Sequence, residues 1–254
     1  MSGVDDPVPA PGGRVPRVMH AGLAGIALAV LAAKLDLDRR LNVNWDEFNY
    51  LGLVHAHLRD ALTRPLQVFH VHLFGWLGTI GPTEVDQVLA ARLVGFVCLV
   101  GLAVAVFVVS DRLVGRSGAW LSVVAALTFS LVLRHGGSFR SDTSICLLFM
   151  VAVALLIRCS CRRSAAVAGV AMGLAFMLSI KVVIYAPALA AILLIRWNAE
   201  GRSIKHLRRA LVFAAAGSAS ALMLYAFHRA TLAPATEGTG FRIVGVAWQH
   251  MILP

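Results

Sequence analysis

Long apolar stretches with few charged residues alternate with short polar, basic loops along most of this chain. Seven such blocks stand out, at about 18–35, 91–110, 118–134, 143–157, 164–180, 182–196 and 209–227. A bilayer core about 30 Å thick needs roughly 17–25 apolar residues per helix. The pattern therefore predicts an all-α polytopic membrane protein with seven transmembrane helices. The first outside segment, 36–90, differs from the other connections. Within it Phe48, Leu51, Leu53, Val54, Leu58, Ala61 and Leu62 recur at helical spacing with polar residues between them. A second stretch, Val68 to Ile80, mixes His70 and His72 with Phe69, Leu73, Phe74 and Trp76. Both read as amphipathic helices lying in the membrane interface.

Composition sharpens this picture. Apolar residues make up 59% of the 254 and charged residues only 14%, against about 45–50% and 25% in soluble domains. The net charge of +10 does not point to nucleic acid, because the basic residues sit in short loops between apolar blocks. The positive-inside rule then sets the orientation. The N-terminus and loops 111–117, 158–163 and 197–208 are cytoplasmic; segments 36–90, 135–142, the surroundings of Lys181 and 228–254 are outside. This describes an integral, multi-pass protein of a plasma or inner membrane. Residues 1–17, with Pro7, Pro9, Pro11 and Pro16, read as a disordered cytoplasmic tail. The first block is long for a signal-peptide core and is expected to stay as a helix. Gly169 and Gly173 have the spacing that lets two helices approach closely.

No cofactor or metal is expected. Cys98 and Cys146 lie within predicted helices, and the Cys159–Cys161 pair lies in a basic cytoplasmic loop, where thiols stay reduced. His55-x-His57 and His70-x-His72 would each share a face only in an extended strand. Both stretches read as helical, and helical i, i+2 positions diverge.

Three polar features carry candidate chemistry. Asp46 and Glu47 follow the first outside helix end, where an acid is either a helix cap or a functional group. Ser138-Phe139-Arg140-Ser141-Asp142 marks the entry to the fourth helix; Asp142 suits a cap, with Arg140 as its ion-pair partner. Lys181 lies between two apolar blocks, either snorkelling to water or serving a site. In the predicted orientation Asp46, Arg140, Asp142 and Lys181 share one face of the membrane. Such a set can deprotonate a hydroxyl and hold a phosphate.

The order of these motifs resembles the N-terminal part of a GT-C glycosyltransferase, in particular the protein O-mannosyltransferase and aminoarabinose transferase group. The matching segments are Trp45-Asp46-Glu47, then His70-Val71-His72-Leu73-Phe74-Gly75-Trp76-Leu77, then Ala91-Arg92-Leu93, then Phe139-Arg140-Ser141-Asp142, and finally Lys181 with Pro187. Both prolines of the family's His-Pro-Pro stretch are replaced, by Val71 and His72, and Ser141 stands in place of the proline of Arg-Pro-Asp. The resemblance implies a GT-C-like transmembrane domain over 18–227 and an outside segment, 228–254, that is incomplete beside full family members. It implies transfer of a sugar from a polyprenyl-phosphate donor to an acceptor on the outer face. Asp46 would be the general base, Glu47 would assist or orient it, and Asp142 would line the same pocket. Arg140, Lys181 and His70 would meet the donor and its phosphate. The partners implied are the lipid-linked sugar, membrane lipid and a partner subunit or missing C-terminal half. The other expectation is a non-catalytic scaffold that keeps the GT-C architecture and binds lipid-linked sugar or a partner.

Overall fold

A computed structural model describes residues 17–159, 161–199 and 201–232. Among these residues every regular element is helical. Helix α1 (Arg17–Arg40) leads into α2 (Trp45–Leu58), a short α3 (His70–Phe74) and a 3₁₀ turn, Gly75–Thr79. Then follow α4 (Glu84–Thr128), α5 (Ser130–His135), α6 (Ser141–Arg158) and α7 (Arg162–Leu178). A 3₁₀ turn over Ile180–Tyr185 runs into α8 (Ala186–Ala199), and α9 (Ile204–Ala230) ends the described chain. The expected tail and the outside segment beyond residue 232 lie outside the described residues.

Among the described residues, five segments are long and apolar enough to cross a membrane: Arg17–Arg40, Glu84–Thr128, Ser141–Arg158, Ile180–Ala199 and Ile204–Ala230. The sequence predicts seven, and two places account for the difference. The 45-residue α4 carries the second apolar block and most of the third as two helical arms that meet at Gly115. Straight, it would be about 67 Å long, twice the bilayer core. It is not straight. Gly115 has φ 77° and ψ 173°, a backbone state that glycine reaches without steric cost. The Phe107 and Trp120 ring centroids lie 4.8 Å apart, whereas a straight helix would separate them by about 20 Å. The chain thus doubles back at Gly115, and Leu99 and Ala103 pack with Val123 and Leu127 in one apolar cluster. The second place is α7, whose 17 residues reach only about 26 Å.

The first outside segment holds less helix than its periodicity predicts. Helix α2 ends at Leu58 rather than Leu62, where Asp60 takes a positive φ of 52°. The Val68–Ile80 stretch is one turn of α-helix followed by one of 3₁₀.

Helices α6, α7 and α8 share the largest apolar cluster, built around Ala152, Leu156, Ala165 and Ala168. Helix α7 lies directly on α9 at the small-residue stripe. A Cβ on Gly173 would fall 2.6 Å from the Gly217 carbonyl oxygen and 2.8 Å from Ser220 Cβ. Gly169 is pressed equally closely against the α9 backbone. This is the close approach expected of small residues spaced four apart.

The bundle has two polar ends. One gathers the start of α1, the Gly115 corner and the end of α6. There His20 bonds Ser117 at 3.0 Å. Arg196 donates to the Leu156 and Ile157 carbonyls, and Arg209 to the Leu156 and Cys159 carbonyls. These are the orphan acceptors of the α6 C-terminus. The opposite end carries α2, α3, the 136–141 loop and the 3₁₀ turn at Lys181.

Candidate functional site

Two neighbouring carboxylates organise the second end in different ways. Helix α2 begins with a capping box: the Asn44 side chain accepts from the Asp46 amide at 3.1 Å, and the Glu47 carboxylate accepts from the Asn44 amide at 3.0 Å. The cap of this helix is therefore Asn44, not Asp46. One residue of helix rotates the side chain by about 100°, so Glu47 turns inward and Asp46 outward.

Glu47 is 1% exposed. Arg92 donates to both its oxygens, Nε to Oε1 at 2.9 Å and Nη2 to Oε2 at 2.8 Å. The Phe139 amide adds a bond to Oε1 at 3.1 Å. Burial pushes the Glu47 carboxyl up, but the bonds from Arg92, Asn44 and Phe139 outweigh it and hold its pKa below the ordinary value. The rest of the Arg92 guanidinium donates to the carbonyls of Asp38, Leu41 and Asn42 at 2.6, 2.9 and 3.0 Å. One arginine thus ties the end of α1, the turn into α2 and α4 together, while Glu47 ties in the 139 loop.

Behind it sits a second buried pair, Lys34 and Asp38, one helical turn apart on α1. In the sequence Lys34 stands at the end of the first apolar block, where a lysine is ordinary. Their i, i+4 spacing with opposite charge was the available signal. Asp38 presses against Gly137, where any side chain would collide with its carboxylate.

Asp46 has a side chain 41% exposed and meets Arg140 Nη2 at 3.1 Å. The same nitrogen lies 3.1 Å from Asp142 Oδ2. Lys181 Nζ meets the other Asp142 oxygen at 2.9 Å. Asp142 stands in the first turn of α6, where its charge favours the helix dipole, but both its oxygens serve ion pairs. Lys181 is held at the start of its 3₁₀ turn by Ser179, which caps its amide at 3.3 Å. Four groups on three separate elements therefore form one chain, Asp46–Arg140–Asp142–Lys181, with two charges of each sign. Beside Arg140 and Asp142 a cavity of about 210 Å³ continues inward between apolar walls that include Leu99, Leu102, Leu131 and Cys146.

The expected site residues thus fall into two groups. Asp46, Arg140, Asp142 and Lys181 come together, whereas Glu47 and His70 are buried behind them. His70 Nε2 donates to the Tyr50 carbonyl at 3.1 Å, and its Nδ1 is enclosed without a partner. Burial drives its pKa down to about 4, so the ring is neutral at pH 7. Its ring packs edge-on against Tyr50 at 4.6 Å, and the Tyr50 hydroxyl bonds Ser141 Oγ at 2.7 Å. His70 therefore shapes the wall next to Arg140 rather than joining the charged chain. The paired His55 and His57 do not share a ligand point: His55 bonds Gln87 at 2.8 Å, and His57 packs on His72.

Length and apolarity place this chain among all-helical proteins of multi-pass membrane character, with a charged constellation gathered at one end of the helices. No protein-family profile, curated protein or solved structure matches it.

Proposed function

We propose that the chain is a GT-C-like membrane glycosyltransferase that moves a sugar from a polyprenyl-phosphate donor to an acceptor hydroxyl on the outer face. The observation that carries this reading is the Asp46–Arg140–Asp142–Lys181 chain, whose two middle members, Arg140 and Asp142, line a largely apolar cavity. It sets a partly exposed carboxylate beside cations suited to a phosphate. Asp46 takes the proton of the acceptor hydroxyl, and that oxygen attacks the anomeric carbon. The bond from this carbon to the phosphate oxygen breaks, and the polyprenyl phosphate leaves with the electron pair. Arg140 and Lys181 neutralise the departing phosphate, while the isoprenoid lies against the apolar wall. Glu47 acts through Arg92 as a positioning residue, fixing the start of α2 so that Asp46 faces Arg140.

In this reading the first arm of α4, its second arm together with α5, and helix α7 each cross the bilayer, which raises the crossings to seven. The hairpin at Gly115 supports this, as does the roughly 26 Å reach of α7. The end carrying Arg112, Arg116, Arg158, Arg162 and Arg163 faces the cytoplasm, and the site faces outward. Cysteines placed at positions 60 and 203 check the orientation: 60 should label from outside and 203 from inside, and the reverse pattern removes the outer-face assignment.

The deciding experiment compares sugar transfer by the chain and its Asp46→Asn variant in membranes supplied with pooled radiolabelled polyprenyl-phosphate sugars. Transfer that the variant loses supports the reading. Transfer undiminished in the variant rejects Asp46 as the base. No transfer by either, with the protein folded and inserted, favours the non-catalytic scaffold that binds lipid-linked sugar or a partner.

A further inference from the structure

The far side of α3 carries a second histidine cluster that the proposed chemistry does not use. His72 Nε2 lies 2.8 Å from His228 Nδ1, joining α3 to the last turn of α9 across 156 residues of sequence. His228 is fully buried, and its Nε2 lies 3.3 Å from the Arg64 carbonyl oxygen. A carbonyl only accepts, so His228 Nε2 carries a proton, and in the neutral ring its Nδ1 is a lone pair. His72 Nε2 must then donate to it. Thr231 agrees with this assignment. Its hydroxyl donates to the His228 carbonyl at 2.8 Å, which leaves its oxygen free to accept from His72 at 3.3 Å. With both rings neutral these contacts allow one arrangement of protons, His72 Nε2–H donating to His228 Nδ1.

We propose that His72 and His228 form a proton-operated latch that holds the end of α9 against the first outside segment and releases it when the pH falls. One added proton leaves an imidazolium–imidazole bond in place, whereas charging both rings puts two N–H groups face to face, which breaks the bond and sets like charges together. Other ionisable groups face the pair. His57 on α2 packs edge-on against His72 at 4.7 Å, and His70 lies on the same short helix. A positive charge on either opposes protonation of the pair, while Arg64 offers the cluster its carbonyl. Phe69 and Phe227 also pack on His72, at 5.1 and 4.9 Å. Burial, with His228 and His57, lowers the His72 pKa to about 4, so the latch is closed at neutral pH.

Release reaches the candidate site through α3. His70 and His72 are two residues apart on a five-residue helix, and His70 braces Tyr50, which bonds Ser141 beside Arg140. Freeing one side of α3 loosens the other.

Hydrogen–deuterium exchange on the full chain in lipid nanodiscs tests the latch without any assay of transfer. Protection is referenced to intrinsic exchange rates at each pH. Peptides covering 64–74 and 226–232 should lose about tenfold or more of their protection between pH 7.5 and pH 4, while α7 peptides packed on α9 do not. His228→Asn keeps an acceptor near the Nδ1 position and takes up no proton, so it should lose clearly less protection by pH 4 than the wild type, the remaining loss coming from His70 and His72. His72→Gln should be under-protected at pH 7.5, with little further loss in acid. Unchanged protection in the wild type, or the same acid loss in His228→Asn, overturns the proposal.

Discussion

Asp46 and Glu47 are neighbours in sequence and opposites in the fold. Glu47 is almost wholly buried, bound by both arms of the Arg92 fork and by two backbone amides. Asp46 is partly exposed and shares a single guanidinium nitrogen with Asp142. The buried carboxylate cannot change partners without leaving a charge stranded in an apolar interior, which is costly. The exposed one sits in high dielectric, where its ion pair is weak and exchangeable. A group that must take a proton and give it up needs the second environment, and a group that must hold a turn in place needs the first.

The contrast can be broken from either side. Arg92→Ala leaves Glu47 buried without its cation and should cost about 3–5 kcal/mol of stability, read as a large fall in the thermal midpoint in detergent. A variant as stable as the wild type would refute the clamp. Asp46→Asn should do the reverse. Transfer should fall by about 10²–10⁴-fold, the usual contribution of a general base, while stability changes by no more than about 1 kcal/mol. A matched loss of stability would make Asp46 structural as well.

Gly137→Ala puts a methyl group where the Asp38 carboxylate lies. Its expected cost, about 1–3 kcal/mol, should be smaller than that of Arg92→Ala. No cost would show that the Lys34–Asp38 pair moves freely. Lys181→Gln removes a cation that is 54% exposed, so its stability effect should stay below about 1 kcal/mol. Any larger effect should appear in donor affinity, measured as KM against kcat.

Acid should act on the α3 histidines before it reaches Glu47. The His70 and His72 pKa values are depressed to about 4 by burial. A depressed histidine pKa means the folded state binds fewer protons than the unfolded chain, so its linked stability is complete above about pH 6.5. That stability declines as the pH falls and is lost below about 4. The Glu47 pKa lies below its ordinary carboxylate value, so its contribution persists to lower pH. Thermal midpoints measured from pH 7.5 to 4 should therefore decline in the wild type and decline less in His228→Asn. Identical profiles would remove the histidine pair from the acid response.

The apolar blocks were enough for the helical class, because a bilayer-length apolar run has few other ways to satisfy its backbone, whereas the described residues hold five segments of spanning length where the blocks predict seven. The Gly169–Gly173 stripe was legible for the same reason, since its spacing alone puts two small residues on one helix face. The four charged groups were legible as candidates from their places at block boundaries. Their joining was not. Arg140 bridges residues 46 and 142, and Lys181 reaches back to 142, distances in sequence that no local period encodes. Tertiary packing also separated Asp46 from Glu47, buried His70 and brought His228 to His72. Hydrophobic pattern is a one-dimensional property that a helix displays directly. The partner of a charge depends on which elements meet, and only the assembled helices decide that.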